Sequence, residues 1–202
     1  MEVYLIRHGE SMQPSLEYFC EKTQATNPPL TQNGIKQAHK LAQRLKHVAF
    51  DRIYASDLDR AMQTANILAD PVDAGIEICK QFREIHMGEL EKKSWDKFPA
   101  LYSKWALHEE DIAYPNGENG ADVWRRCKRK LDEIASMGYD RIAVVCHGGT
   151  IRSIICGILG IPQYKRFSFG APLENCSVSV ITYKEKSSVL HAFNDFSHIK
   201  RS

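Results

Sequence analysis

Leu5-Ile6-Arg7-His8-Gly9-Glu10-Ser11 decides the fold, because an apolar run that begins near the N-terminus stops there at an Arg-His-Gly triplet. The run Val3-Tyr4-Leu5-Ile6 favours a central β-strand, and open α/β sheets bind ligands just beyond the carboxyl ends of such strands. Within a core, Arg7 would be a buried charge with no apolar role. An arginine beside a histidine at this position therefore indicates a site for an anion.

Length and composition favour one globular domain spanning residues 1–202. The chain has 202 residues and a formal net charge of +2 at pH 7, too small to indicate a nucleic-acid or membrane partner. It begins without the basic start of a secretory signal, and no apolar stretch approaches the roughly 20 residues that span a bilayer. We therefore expect a cytoplasmic protein. Its six cysteines form no C-x-x-C pair, so reduced and mostly buried thiols are expected.

Apolar patterns that alternate between strand and helix periods predict an α/β fold. We expect a three-layer sandwich, in which helices cover both faces of a mostly parallel central sheet. The predicted strands are residues 3–6, 52–55, 76–79, 141–146, 178–183 and 189–193. The predicted helices run from an N-cap at Thr31 to Ala49, from a cap at Ser56 or Asp57 to Leu68, from Ser94 to about Leu107, from Val123 to Ile134, and from Thr150 to Leu159. Residues 12–29 are interpreted as irregular. The segment at about 86–119 is interpreted as an excursion from the domain that could cap the cleft.

Three strand-to-loop junctions carry cationic or proton-handling residues. They hold Arg7 with His8, then Arg60, then His147 followed by Gly148 and a second glycine. In a parallel sheet these junctions meet at one edge. Arg60 lies in the first turn of a helix and Gly148 opens another, so both places offer free backbone N–H groups and a positive dipole end. The sequence therefore predicts a phosphate site.

At such a site a neutral imidazole is a competent nucleophile toward phosphorus, so we expect His8 to carry the phosphoryl group with no metal or other cofactor. Arg7 and Arg60 would hold the equatorial oxygens, and His147 would supply a further donor. Glu84 is the candidate carboxyl that protonates the leaving oxygen and then activates water. The other carboxyls open to this role are Glu77, Glu89, Glu91, Glu109, Glu110 and Glu118.

Five motifs in one order resemble those of the histidine phosphatase superfamily, and the match runs from the first strand to beyond residue 150. They are Leu5 to Ser11, Leu30-Thr31-Gln32-Asn33-Gly34, Ser56 to Thr64 (S-D-L-D-R-A-M-Q-T), Phe82-Arg83-Glu84 with Gly88, and Cys146-His147-Gly148-Gly149. The resemblance implies His8 as the phosphorylated residue, a phosphate pocket of Arg7, Arg60 and His147, and Glu84 as the proton donor. The F-R-E-x-x-x-G setting favours Glu84 over the other carboxyls.

The expected function is a phosphomonoesterase acting on a small phosphate ester. One alternative is phosphoglycerate mutase-type transfer, which the short insertion before the second histidine disfavours. Another is a non-catalytic member that binds a phosphorylated ligand or a protein. In isolation, His8 could be structural and Arg60 a solvated helix residue. Four lysines on the excursion are interpreted as a solvated face, with a substrate clamp as the alternative: Lys92, Lys93, Lys97 and Lys104. The oligomeric state is left open, a homodimer included.

Overall fold

A six-stranded mixed sheet, ordered β5-β4-β6-β1-β7-β8, forms the centre of the computed structural model, which describes residues 1–169, 172–184 and 187–200. The first four strands in this order pair in parallel, and the β1-β7 and β7-β8 pairs are antiparallel. The strands are β1 (Glu2–Arg7), β2 (Phe19–Cys20), β3 (Ala25–Thr26), β4 (Arg52–Ala55), β5 (Ile76–Ile78), β6 (Arg141–Cys146), β7 (Val178–Thr182) and β8 (Val189–Asp195). The helices are α1 (Gln32–Leu45), α2 (Asp59–Val72), α3 (Pro99–Leu107), α4 (Gly120–Ala135), α5 (Gly148–Leu159) and α6 (Ser197–Lys200).

Two apolar clusters, one on each face of the sheet, form the core. Along β6, Val144 and Cys146 pack with α4 and α5 in one cluster, whereas Ala143 and Val145 pack with α1 and α2 in the other. Successive strand residues point to opposite faces, so a strand covered by helices on both sides is apolar throughout. The predicted sandwich of helices around a mostly parallel sheet is confirmed.

The start of α2 differs from the prediction, because neither Ser56 nor Asp57 caps it. The helix begins at Asp59, after Leu58 in an extended conformation. The Ser56 hydroxyl instead accepts from the Leu58 N–H at 3.3 Å, and the Asp57 carboxylate forms a two-bond ion pair with Arg83. Ser56 therefore bonds within the turn before the helix, and Asp57 is used in a tertiary contact.

Helix α1 begins as predicted but ends earlier. Thr31 caps it by accepting from the Gly34 N–H at 2.9 Å, and the helix stops at Leu45 with Ala49 exposed beyond it. A side chain at Gly34 would overlap the backbone carbonyl of Glu10. A glycine in this first turn therefore lets the helix approach the loop that follows β1.

The predicted helix from Ser94 to Leu107 is wrong at its start. Trp95–Lys97 form a separate 3₁₀ turn, and α3 begins at Pro99. Proline has no N–H to continue a preceding helix and disfavours helical geometry in the residue before it, whereas the first helical position accommodates it.

Smaller differences concern the other segments. Helix α5 begins at Gly148, two residues before the predicted Thr150. Residues 12–29 are not wholly irregular, because β2 and β3 pair there as a short hairpin. All six cysteines are free and five are buried, as predicted. Of the helices among the described residues, none has the length and apolar character that crossing a membrane requires.

Candidate active site

The candidate site lies where β1, β4 and β6 end at the same edge of the sheet. A cavity of about 760 Å³ opens there, and Arg7, His8, Arg60 and Glu84 line it. His147 follows β6, is fully buried and does not line the cavity, and Gly148 does not line it either. The sheet therefore brings four of the predicted residues to one cavity and places His147 behind them.

Contacts on both ring nitrogens orient the His8 imidazole. Its Nδ1 lies 2.7 Å from the Gly9 carbonyl oxygen, which only accepts, so Nδ1 carries the proton. Nε2 then holds a lone pair and accepts from Nε of Arg60 at 3.3 Å. Burial lowers the pKa of His8 well below its ordinary 6.5, and the charges of Arg60 and Arg7 lower it further. His8 is therefore neutral, with an unprotonated Nε2 aimed at Arg60.

His147 packs against His8, with 5.1 Å between the ring centroids. Its Nε2 lies 2.9 Å from the Ser56 hydroxyl, and its Nδ1 is buried without a hydrogen-bond partner among the described residues. Burial lowers the pKa of His147 well below 6.5, and the charge of Arg60 adds to the effect. The second imidazole is therefore also neutral, and its orientation depends on Ser56.

The two guanidinium groups are fixed in different ways. Arg60 donates through Nη1 to the Thr26 carbonyl at 3.3 Å, besides its contact with His8. Arg7 donates through Nη1 to the Leu173 carbonyl, and its Nε is buried with no hydrogen-bond partner in the described part of the chain. Burial lowers the pKa of both guanidinium groups, and the nearby carboxylate of Glu84 acts in the opposite direction.

Glu84 lies at the N-terminus of α5. Its Oε2 accepts from the Gly149 N–H at 3.1 Å, and its Oε1 accepts from the Thr150 N–H at 3.0 Å. A Cβ at position 149 would come within 2.6 Å of Oε1, so this close approach requires glycine. The expectation that the helix start offers a free N–H to phosphate is wrong for Gly149, because a carboxylate of this chain occupies the positive end of the helix.

Sequence reasoning missed several residues that hold these groups in place. The Thr64 hydroxyl donates to the Arg60 carbonyl at 2.8 Å and accepts from the Gly9 N–H at 3.0 Å. Asn175 donates to the His8 carbonyl at 3.1 Å and lines the cavity. Thr64 lies four residues after Arg60 and ends the motif Ser56 to Thr64, so the motif could have identified it as a residue of the site. Asn175 is in a loop that carries no pattern.

The cavity walls come from the β2–β3 hairpin and from residues near positions 86 and 117. Of the alternative carboxyls, only Glu91 and Glu118 are among the lining residues. Oε2 of Glu91 accepts from the Thr26 N–H at 3.0 Å, and Glu118 pairs with Arg126 at 2.7 Å. Both carboxylates are therefore engaged with the protein.

The lysines of the excursion lie outside this cavity. Lys92 pairs with Glu21 at 3.5 Å and Lys93 with Glu89 at 2.5 Å, and neither Lys97 nor Lys104 is among the lining residues. This placement favours the solvated face over the substrate clamp. Within residues 1–169, 172–184 and 187–200, no three His, Cys, Asp or Glu side chains are grouped so as to hold a metal ion.

The neutral histidines predict a pH dependence of stability. His8 and His147 have pKa values well below 6.5 when folded, so below pH 6.5 the unfolded chain binds protons that the folded chain does not. The free energy of unfolding should therefore fall as the pH drops from 6.5, by up to about 1.4 kcal/mol per pH unit for each histidine. Urea unfolding between pH 7 and 5 measures this slope. In His8→Ala the slope should fall by up to about 1.4 kcal/mol per pH unit, which is the contribution of one histidine. An unchanged slope would contradict a neutral, buried His8.

Comparisons with known proteins point to one family. A family model described as histidine phosphatase superfamily (branch 1) matches residues 3–196. A probable phosphoglycerate mutase, GpmB of Yersinia pestis (strain Pestoides F), is 30% identical over 190 residues, which cover 92% of this chain and 86% of that protein.

Solved structures share the whole fold. A mutant phosphoserine phosphatase from Entamoeba histolytica in complex with phosphoserine superposes with a TM-score of 0.81 at 26% identity, over 98% of each chain. A putative alpha-ribazole-5'-P phosphatase from Escherichia coli superposes with a TM-score of 0.79 at 27% identity, over 97% of each chain. The likeness extends beyond the motifs to nearly every element of the sheet and its helices.

Proposed function

Because the chain belongs to the histidine phosphatase superfamily (branch 1), we propose that it is a metal-independent phosphomonoesterase that hydrolyses a small phosphate ester through a phosphohistidine on His8. The observation that carries this proposal is the unprotonated Nε2 of His8, which lies 3.3 Å from Nε of Arg60 in a cavity that Arg7 also lines. A nucleophile and two cations therefore meet where a phosphoryl group would bind.

In the first proposed step, the lone pair on Nε2 of His8 forms a bond to phosphorus as the bond between phosphorus and the ester oxygen breaks. Glu84 must carry a proton at this step, and it gives that proton to the leaving oxygen. The guanidinium groups of Arg7 and Arg60 stabilise the equatorial oxygens. Nε of Arg7 is a buried donor with no described partner, on a residue that lines the cavity, and it suits the same oxyanion.

In the second step, the Glu84 carboxylate takes a proton from water, and the water oxygen attacks phosphorus as the bond from Nε2 breaks. Inorganic phosphate leaves, and both His8 and Glu84 return to their starting protonation states. Neither step needs a metal ion, because the fixed cations carry the charge of the transferring group.

Small esters fit the proposal better than a phosphoprotein. The cavity of about 760 Å³ is walled by the hairpin and by residues near positions 86 and 117. Binding sites for small molecules are concave pockets of this order of size. The Entamoeba histolytica relative is a phosphoserine phosphatase whose structures hold phosphoserine and 3-phosphoglyceric acid, which are small phosphate esters.

A second candidate function is phosphoryl transfer of the phosphoglycerate mutase type, which the likeness to the probable mutase of Yersinia pestis favours. The two functions share the phosphohistidine and differ in the acceptor. Adding phosphoglycerate as acceptor at millimolar concentration separates them. A phosphatase releases inorganic phosphate at the same rate, whereas a mutase forms the isomeric ester in preference.

The test is hydrolysis of p-nitrophenyl phosphate and a panel of metabolite phosphates by the purified protein, with and without EDTA. We expect release of inorganic phosphate that EDTA does not reduce and that vanadate inhibits. Rapid quenching should trap a phosphoryl-protein that is stable in alkali and labile in acid. The proposal is overturned if no ester is turned over, or if turnover disappears on chelation.

A further inference from the structure

Arg126, on α4, is one of the most extensively bonded side chains at the cavity. It takes part in neither of the two proposed steps of hydrolysis. Its Nε and Nη2 donate to the two carboxylate oxygens of Glu118 at 2.7 and 2.9 Å. Nη2 also donates to the backbone carbonyl of Glu84 at 3.1 Å, and Nη1 donates to that of Gln81 at 2.5 Å. The guanidinium therefore fixes the backbone of the residue proposed as proton donor.

Glu118 extends this support to the other side of Glu84. Its Oε2 accepts from the His86 N–H at 2.9 Å, and its own N–H donates to the His86 carbonyl at 2.9 Å. The pair of Arg126 and Glu118 thus holds residues 81, 84 and 86 at once. Its side chains are only 20% and 24% exposed, so solvent competes weakly for these bonds.

Glu84 depends on such support because residues 84–87 form no helix or strand. Its carboxylate reaches the N-terminus of α5, and the Thr150 hydroxyl donates to the Arg83 carbonyl at 2.7 Å. The bonds to Gln81, Glu84 and His86 come from the Arg126–Glu118 pair. Without the side chains of that pair, the carbonyls of Gln81 and Glu84 and the N–H of His86 would lose these hydrogen bonds.

Resting on the proposed function, we infer that Arg126 and Glu118 are positioning residues that hold Glu84 where it can protonate the leaving oxygen. Arg126 lines the cavity, but its four short hydrogen bonds all go to protein oxygens. It therefore acts through Glu84 and not on the substrate phosphate. General acids contribute only when held within hydrogen-bond reach of their target, so loss of this support lowers the rate of the step that needs the proton.

The test compares esters whose leaving groups differ in their need for a proton. An alkyl phosphate such as glycerol phosphate needs protonation of its oxygen, whereas 2,4-dinitrophenyl phosphate leaves as a stable anion. The value of kcat/KM reports the steps up to phosphorylation of the protein. In Arg126→Lys, which keeps the charge but loses the forked contact, kcat/KM for the alkyl ester should fall about 10- to 100-fold. For the dinitrophenyl ester it should change less than about threefold, with vanadate inhibition unchanged.

Arg125→Lys is the matched control, because Arg125 is the neighbouring residue on α4 and its side chain is 67% exposed. Among the described residues, its ion pair is with Asp122 at 2.6 Å. This control substitution should leave kcat/KM unchanged for both esters. Glu118→Gln is the second variant and should show the same selective loss as Arg126→Lys, so the inference stays testable should Arg126→Lys not fold.

Equal losses on both esters, or no loss on either, would overturn the positioning role. Either result would leave the proposed function intact, since each is measured against a wild-type protein that hydrolyses the esters. A wild-type protein that hydrolyses neither ester would overturn the proposed function itself.

Discussion

His8→Ala is expected to lower kcat for ester hydrolysis by about 10⁴-fold or more, because no other described group offers an unprotonated nitrogen at the same position in the cavity. The backbone of residue 8 should stay in place. Its N–H donates to the Cys146 carbonyl at 3.0 Å and its carbonyl accepts from Asn175, and neither bond involves the imidazole. The variant should therefore fold and still bind vanadate through Arg7 and Arg60.

Steady-state assays on p-nitrophenyl phosphate, with rapid-quench labelling, measure this effect. The trapped phosphoryl-protein should be absent from His8→Ala. His39→Ala is the control, because His39 is exposed on α1 and lies outside the cavity, and it should keep wild-type turnover. Substantial turnover by a folded His8→Ala, or persistence of the label, would assign the nucleophile to another residue.

The fold could be predicted largely because β1 and β6 are apolar on both faces. A run such as Ile142-Ala143-Val144-Val145 has no polar side to expose, so it requires helices on both sides of the sheet. The same logic placed Arg7, His8, Arg60 and His147 near one edge, since parallel strands end together. Short-range pattern and topology were sufficient for these features.

The position of Glu84 could not be predicted, because it depends on a contact across 65 residues of sequence. A glycine pair after a strand is typical of a phosphate-binding helix start, and nothing local shows that a carboxylate of the same chain takes the N–H groups of Gly149 and Thr150. The Ser56 hydroxyl is a similar case. It was interpreted as a helix cap, but it bonds the His147 imidazole 91 residues away.

The β2–β3 hairpin was missed for a different reason. Its strands have two residues each, Phe19–Cys20 and Ala25–Thr26, which is too short for a period to appear. Its place is set by two contacts of Thr26, whose N–H donates to Glu91 and whose carbonyl accepts from Arg60. The hairpin therefore forms part of the cavity because Arg60 and Glu91 hold it there.

Glu84→Gln is expected to separate the two proposed steps, since an amide neither gives nor takes the required proton. For an alkyl phosphate, kcat/KM should fall about 10²- to 10⁴-fold, the usual contribution of a general acid. For 2,4-dinitrophenyl phosphate, kcat/KM should change little, because its leaving group departs without protonation. Stability should fall by about 1 kcal/mol, since an amide NH₂ cannot accept from the N–H groups that begin α5.

The second step should then limit turnover of the dinitrophenyl ester, because water lacks its base. The phosphohistidine should accumulate, and stopped-flow absorbance should show a burst of dinitrophenolate approaching one equivalent per chain, followed by slow release of inorganic phosphate. Glu89→Gln is the matched control, as Glu89 is a nearby carboxyl that pairs with Lys93 and Asn116 and does not itself line the cavity. A burst in Glu89→Gln, or equal loss on both esters in Glu84→Gln, would refute Glu84 as the proton donor. The two results together identify one group that serves both half-reactions, because the loss of kcat/KM on the alkyl ester reports the acid of the first step and the burst reports the base of the second.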